Sequence, residues 1–77
     1  MPWLSRLEFV GGNSAKFWQV SGVPGQDGVL IEWGRIGAKG QSQTVGANEA
    51  AKRFKEKLGK GYEPVGTRGP VPNAFKG

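Results

Sequence analysis

Val29-Leu30-Ile31-Glu32-Trp33-Gly34-Arg35, running on into Ile36-Gly37-Ala38-Lys39-Gly40-Gln41, decides how this chain folds. Alternate side chains of a strand point to opposite faces, so Val29, Ile31, Trp33 and Arg35 share one side and Leu30 and Glu32 the other. Gly37-Ala38-Lys39-Gly40 reads as the turn that follows. Residues 41–45 then make a polar fourth strand at or near a sheet edge. Upstream, residues 4–10 alternate in the same way, with Leu7 and Phe9 opposed to Arg6, Glu8 and Val10. Gly11-Gly12-Asn13-Ser14 closes a hairpin. Residues 16–21 form its second arm, in which Phe17 and Gln19 face away from Trp18 and Val20. Pro24-Gly25-Gln26-Asp27-Gly28 returns the chain to the central strand.

The period changes after Gly46. Ala50, Phe54 and Leu58, with Ala47 and Ala51 beside them, form one apolar stripe at helical spacing. Asn48 is the expected cap, and Glu49 sits in the first turn, where the helix dipole favours an acid. Glu49–Arg53 and Lys52–Glu56 are i, i+4 pairs. Gly59 and Gly61 stop the helix, Tyr62 folds back onto the sheet, and Glu63-Pro64-Val65 adds a short last strand. The expected fold is α+β: a small twisted antiparallel sheet of four to five strands with one helix packed on it. Residues 1–65 make the domain. Residues 66–77, rich in glycine and proline and without periodicity, are expected to be a flexible tail, the lesser alternative being that Phe75 pins the segment to the domain or to a partner.

With 77 residues there is room for one small domain. No cysteine or histidine is present, which removes disulfides, thiolate chemistry, the usual zinc ligands and a histidine base. The six acidic residues are scattered with no close pair for acid–base work, and Gly37-Ala38-Lys39-Gly40 lacks the full phosphate-loop pattern. The chain is therefore expected to be non-catalytic, with no cofactor and no metal. No apolar run is long enough to span a bilayer, and no apolar segment of secretory length follows Met1. A cytoplasmic monomer is expected. The net charge of +5 is uneven: Arg35, Lys39, Lys52, Arg53, Lys55, Lys57 and Lys60 face only Glu49 and Glu56 in the same stretch. Such a distribution attracts polyanions and also keeps a small protein soluble.

On the central strand, Trp33 and Arg35 project together about 6–7 Å apart. An indole offers a flat surface to a base or sugar, and a guanidinium can take a phosphate through two parallel hydrogen bonds. Lys39, between glycines, and Lys16 are further phosphate candidates from charge and position. If the helix covers one side of the sheet, the other side is left partly open, and that is where the aromatic and the arginine would act. The same pattern also fits Trp33 as a core residue and Arg35 as a strand end emerging into water. Of Phe17 and Trp18, one belongs to the core and the other to a surface; alternation does not say which.

Trp33-Gly34-Arg35 with Ile36-Gly37 and Gly40-Gln41 resembles the signature of the WGR domain family. The resemblance runs back to Asn13-Ser14-Ala15-Lys16-Phe17-Trp18 and forward through Gln41-Ser42-Gln43-Thr44 and the alanine-rich helix to Lys60-Gly61-Tyr62. The chain looks like a short, stand-alone, bacterial-type member. The family is also found in poly(ADP-ribose) polymerases, where it binds DNA near a break and relays the event to a catalytic region. The resemblance implies a small antiparallel sheet carrying one helix. It also implies that Trp33 packs against the sugar or backbone of a DNA terminus and that Arg35 contacts phosphate or a neighbouring domain. Relative to the family, the stretch before the helix and the helix itself look short, and no catalytic partner domain lies within these residues. The expected partner is nucleic acid, DNA first, with another protein as the alternative.

Overall fold

The computed structural model describes residues 1–76. The chain runs β1 (Trp3–Gly11), β2 (Ser14–Gly22), β3 (Gly28–Arg35), β4 (Gln41–Gly46), α1 (Ala47–Gly59), β5 (Glu63–Arg68) and a short 3-10 turn, η1 (Asn73–Phe75). The five strands form one sheet in the order β4-β3-β2-β1-β5, with the pairings antiparallel. The α+β fold expected from the periodicities is the fold observed. Among the described residues no helix is long and apolar enough to cross a membrane.

Register follows from burial. Leu7 pairs with Trp18, Trp18 with Trp33, and Trp33 with Gln41, so these four share a face. One step along, Ser5, Val20, Ile31 and Gln43 share it too. Helix α1 lies on this face and lowers Ala50 and Phe54 onto Leu7, Trp18, Val20, Val29 and Ile31, which are all buried. Slipping any strand by one residue would turn this whole apolar row to water, which pins the pairing.

The opposite face is a polar ladder. Arg6 Nε donates to Glu8 Oε2 at 2.8 Å, Arg6 Nη1 to Gln19 Oε1 at 3.0 Å, and Gln19 Nε2 to Glu32 Oε1 at 2.8 Å. Phe17 belongs to this side and is nonetheless buried, because the Arg6 guanidinium lies 4.5 Å from its ring centre. Trp18 is therefore the core member of the Phe17–Trp18 pair.

Two local expectations change. The helix starts two residues early, with Gly46 in the cap position and no side-chain cap; the Ala47 amide donates instead to the Asp27 carbonyl at 3.0 Å. Asn48 thus sits inside the first turn. The Glu49–Arg53 pair forms at 3.0 Å, while Lys52–Glu56 does not close to an ion pair among the described residues.

The expected flexible tail from residue 66 is the larger correction. Residues 66–68 complete β5 against β1, across a bulge at Arg6/Leu7. Val71 and Phe75 are then buried in the helix-side core. Phe75 stacks on Trp3 at 5.2 Å between ring centres and meets Phe54 edge-on at 5.6 Å. Its carbonyl accepts a buried hydrogen bond from Ser5 Oγ at 2.7 Å. A single aromatic ring filling a gap leaves no periodic trace in a sequence, so composition pointed to a tail, and the lesser alternative of Phe75 pinning the segment is what the structure has.

Candidate functional site

Trp33 and Arg35 do project together, but from the helix side of the sheet and not the side left open. The reason is their strand: they share a face with Val29 and Ile31, which are 4% and 0% exposed beneath α1. The helix begins beside the Gly28–Gly46 pair and lies against β3 and β4, reaching Trp18 of β2 through Phe54 and leaving Trp33 half-covered. Trp33 is accordingly half-buried, packed against the core on one side and open on the other. Arg35 is exposed at the strand end.

Gly34 shapes this end. Its φ of +152° is poorly suited to a side chain, and a Cβ there would come within 2.8 Å of the Gly40 Cα. The 36–40 turn therefore folds onto the opposite face, against Gly34 and the Phe17 ring. It carries exposed Lys39 with it. The structure does not bring Lys39 to the Trp33 surface.

Lys16 does arrive there, since it is paired across the sheet with Arg35. Asn13, Ser14 and Lys16 from the first hairpin, Trp33 and Arg35 from β3, Lys57 from α1 and Tyr62 beyond it line a concavity of about 300 Å³. The Lys57 ammonium lies 5.2 Å from the Tyr62 ring centre, and that ring packs on Phe9 at 5.6 Å. Partial burial, then the like charges of Lys60 and Lys16, lowers the Lys57 ammonium below the usual lysine value; Arg53 adds to this and Glu56 opposes it. Lys16, Arg35 and Lys57 meet no carboxylate among the lining residues.

Trp33 also borders a second concavity, of about 350 Å³, shared with Trp18, Glu49, Arg53, Glu56, Lys57 and Lys60. The indole is thus a partition. One side sets three cations among aromatic rings and carries no carboxylate; the other mixes charges, with Arg53 tied to Glu49 at 3.0 Å. An anion is drawn to the first side. Among the described residues no cluster of acidic or other ligating side chains could hold a metal ion.

Lys57, Tyr62, Asn13 and Ser14 are lining residues that sequence reasoning did not name as a site. A signal existed for part of this: Arg53, Lys57 and Lys60 are spaced i, i+4, i+7 and so share a helix face beside the Ala50–Phe54 stripe. The hairpin tip carried none, because its place beside Arg35 is set by the β2–β3 pairing, where the Ile36 amide donates to the Ala15 carbonyl at 3.0 Å.

Comparison with known proteins adds a family and a fold relative. The family model described as the WGR domain matches residues 3–69. The chain is similar to a protein from Bacteroides fragilis of known crystal structure, at 29% identity and a TM-score of 0.68. That match covers 80% of this chain and 19% of the other, so this chain corresponds to about a fifth of that protein's length. No curated protein matches.

Proposed function

Since this chain belongs to the WGR domain family, we propose that it is a non-catalytic nucleic-acid-binding module that takes DNA ends or backbone at the concavity beside Trp33. The observation that carries this reading is the convergence of Lys16, Arg35 and Lys57 around the open side of the Trp33 indole, with Tyr62 as a second ring. Phosphates would sit on the three cations, and a terminal sugar or base would pack on the indole, an arrangement in which stacking contributes about 1–3 kcal/mol. Asn13 and Ser14 supply polar groups at the rim. The alternative, a surface for another protein, calls for an apolar rim around Trp33 with few cations; the rim here joins Phe17, Trp33 and Tyr62 to three cations with no carboxylate, and those unpaired cations favour nucleic acid.

The test is titration of labelled blunt and recessed DNA duplexes at several salt concentrations. Binding that weakens steadily with salt, and weakens further in Arg35→Ala and Lys16→Ala, is the expected result. Absence of salt-dependent binding at tens of micromolar protein would remove the nucleic-acid reading and leave the protein-docking one.

A further inference from the structure

Residues 70–76 follow the last position matched by the family model, yet they carry two buried side chains. Their one long-range polar anchor is to β1, where Ser5 Oγ donates to the Phe75 carbonyl at 2.7 Å. Their aromatic contacts reach two elements at once. Phe75 stacks on Trp3 of β1 at 5.2 Å, and its ring meets Phe54 of α1 at 90° and 5.6 Å. Phe54 in turn sits edge-on to Trp18 at 6.0 Å, and Trp18 is the cross-strand neighbour of Trp33. A continuous row of rings therefore runs from the C-terminal segment under the helix to the partition of the two concavities.

The same helix carries the cations of that wall. Arg53 precedes Phe54 and Lys57 lies three residues beyond it, and Arg53, Lys57 and Lys60 border the concavities. The strand-borne cations, Lys16 and Arg35, are fixed separately by the β2–β3 pairing. The helix is thus held by the strands beneath it and, at Phe54, by Phe75 as well, whereas the strand-borne cations are held by the sheet alone.

We propose that residues 70–76 form a clamp that sets where α1 lies on the sheet, with Phe75 a positioning residue for the helix-borne half of the ligand surface. This rests on the nucleic-acid reading of the site for its effect on binding, and on geometry alone for its effect on the helix. Through the clamp, Lys57 is held at the concavity that Trp33, Lys16 and Arg35 also line, and Arg53 and Lys60 at the one beyond the indole. A rigid element that positions charge ahead of binding raises affinity by sparing the ordering cost. A segment outside the family's matched length therefore tunes the family's surface.

A double-mutant cycle on the full chain tests it, read by fluorescence anisotropy with a blunt DNA duplex. Phe75→Ala is expected to weaken binding about five-fold, within the range of coupled neighbours. Lys57→Ala should then cost less in the Phe75→Ala background than in the wild type, while Arg35→Ala costs the same in both. Equal cost of Lys57→Ala in both backgrounds overturns the clamp, since a purely stabilising role lowers the unfolding midpoint without coupling to Lys57. Phe75→Leu, which keeps bulk but loses the ring edge on Phe54, carries the same cycle if Phe75→Ala does not fold. A second arm needs no DNA: NMR titration of the Lys57 side-chain amine, faced by Lys60, Arg53 and Glu56 on its own helix and by Lys16, Arg35 and Tyr62 from elsewhere. Its midpoint should rise in the Phe75 variant as the helix lifts from Tyr62 and Lys16. An unmoved midpoint overturns the clamp. If the wild-type chain fails to bind the duplex, the proposed function falls, and the NMR arm still decides the clamp.

Discussion

Lys57 is the side chain whose titration reports on the ligand surface. Burial and then its cationic neighbours lower its pKa, so the fold favours the neutral amine more than the unfolded chain does. The sign follows. At neutral pH the charged amine is a cost to folding, and that cost is released as pH rises from the lowered value toward the usual lysine value. A phosphate acts oppositely, favouring the ammonium, so binding takes up a proton where the free amine is partly neutral. DNA affinity is expected to decline on the alkaline side, and Lys57→Arg, which stays charged throughout, should flatten that decline in titrations across pH. Gly34 makes a different demand on its residue. Its φ of +152° and the close Gly40 Cα predict that Gly34→Ala loses about 1–3 kcal/mol in urea unfolding. The displaced 36–40 turn would carry Arg35 out of register with Lys16, so binding should weaken as well.

Helix α1 shows where local pattern suffices and where it does not. Its existence and apolar stripe are plain from Ala50, Phe54 and Leu58, and the four strands before it are plain from alternation. Its first residue is not, because the Ala47 amide is satisfied by the Asp27 carbonyl, a partner in the preceding turn that no local rule can supply. Asn48→Ala is accordingly expected to leave the unfolding free energy within about 0.5 kcal/mol of wild type in chemical denaturation, where loss of a true cap would cost about 1 kcal/mol. The face occupied by Trp33 was half-legible in the same sense. Alternation correctly grouped it with Val29, Ile31 and Arg35. Which face the helix would cover depends on docking, and both faces of β2 offered an aromatic, Phe17 and Trp18. The C-terminal turn was faintly legible, through Phe75 as the lesser alternative to a tail, because one ring and one carbonyl hold it. Phe75→Ala should cost about 3–5 kcal/mol in chemical unfolding. That is a large share of the roughly 5–15 kcal/mol available to a small domain. Such a loss would be out of reach for a disordered tail.

The two faces of the sheet divide the protein's charge unequally. On the side away from the helix, Arg6, Glu8, Gln19 and Glu32 satisfy one another, leaving little field for a ligand. On the helix side the excess cations are free of carboxylates around the first concavity. With about four phosphates contacted, log affinity should fall against log salt with a slope near −3.6, and Lys16→Ala should make it shallower by about one. Charge reversal at Glu32, on the far face, should leave that slope alone; a changed slope would place the ligand on the wrong side of the sheet. The stacking of Trp3 on Phe75 has a last consequence. It gathers Trp3 and Phe75 at one pole, beside the Trp3–Gly22 pair, while Asn13 and Arg35 mark the other pole along molecular dimensions of 39 × 23 × 20 Å. A tether, fluorophore or fused module joined to either terminus would thus leave from the pole remote from Trp33. Immobilised by either end, the domain would present the same surface outward.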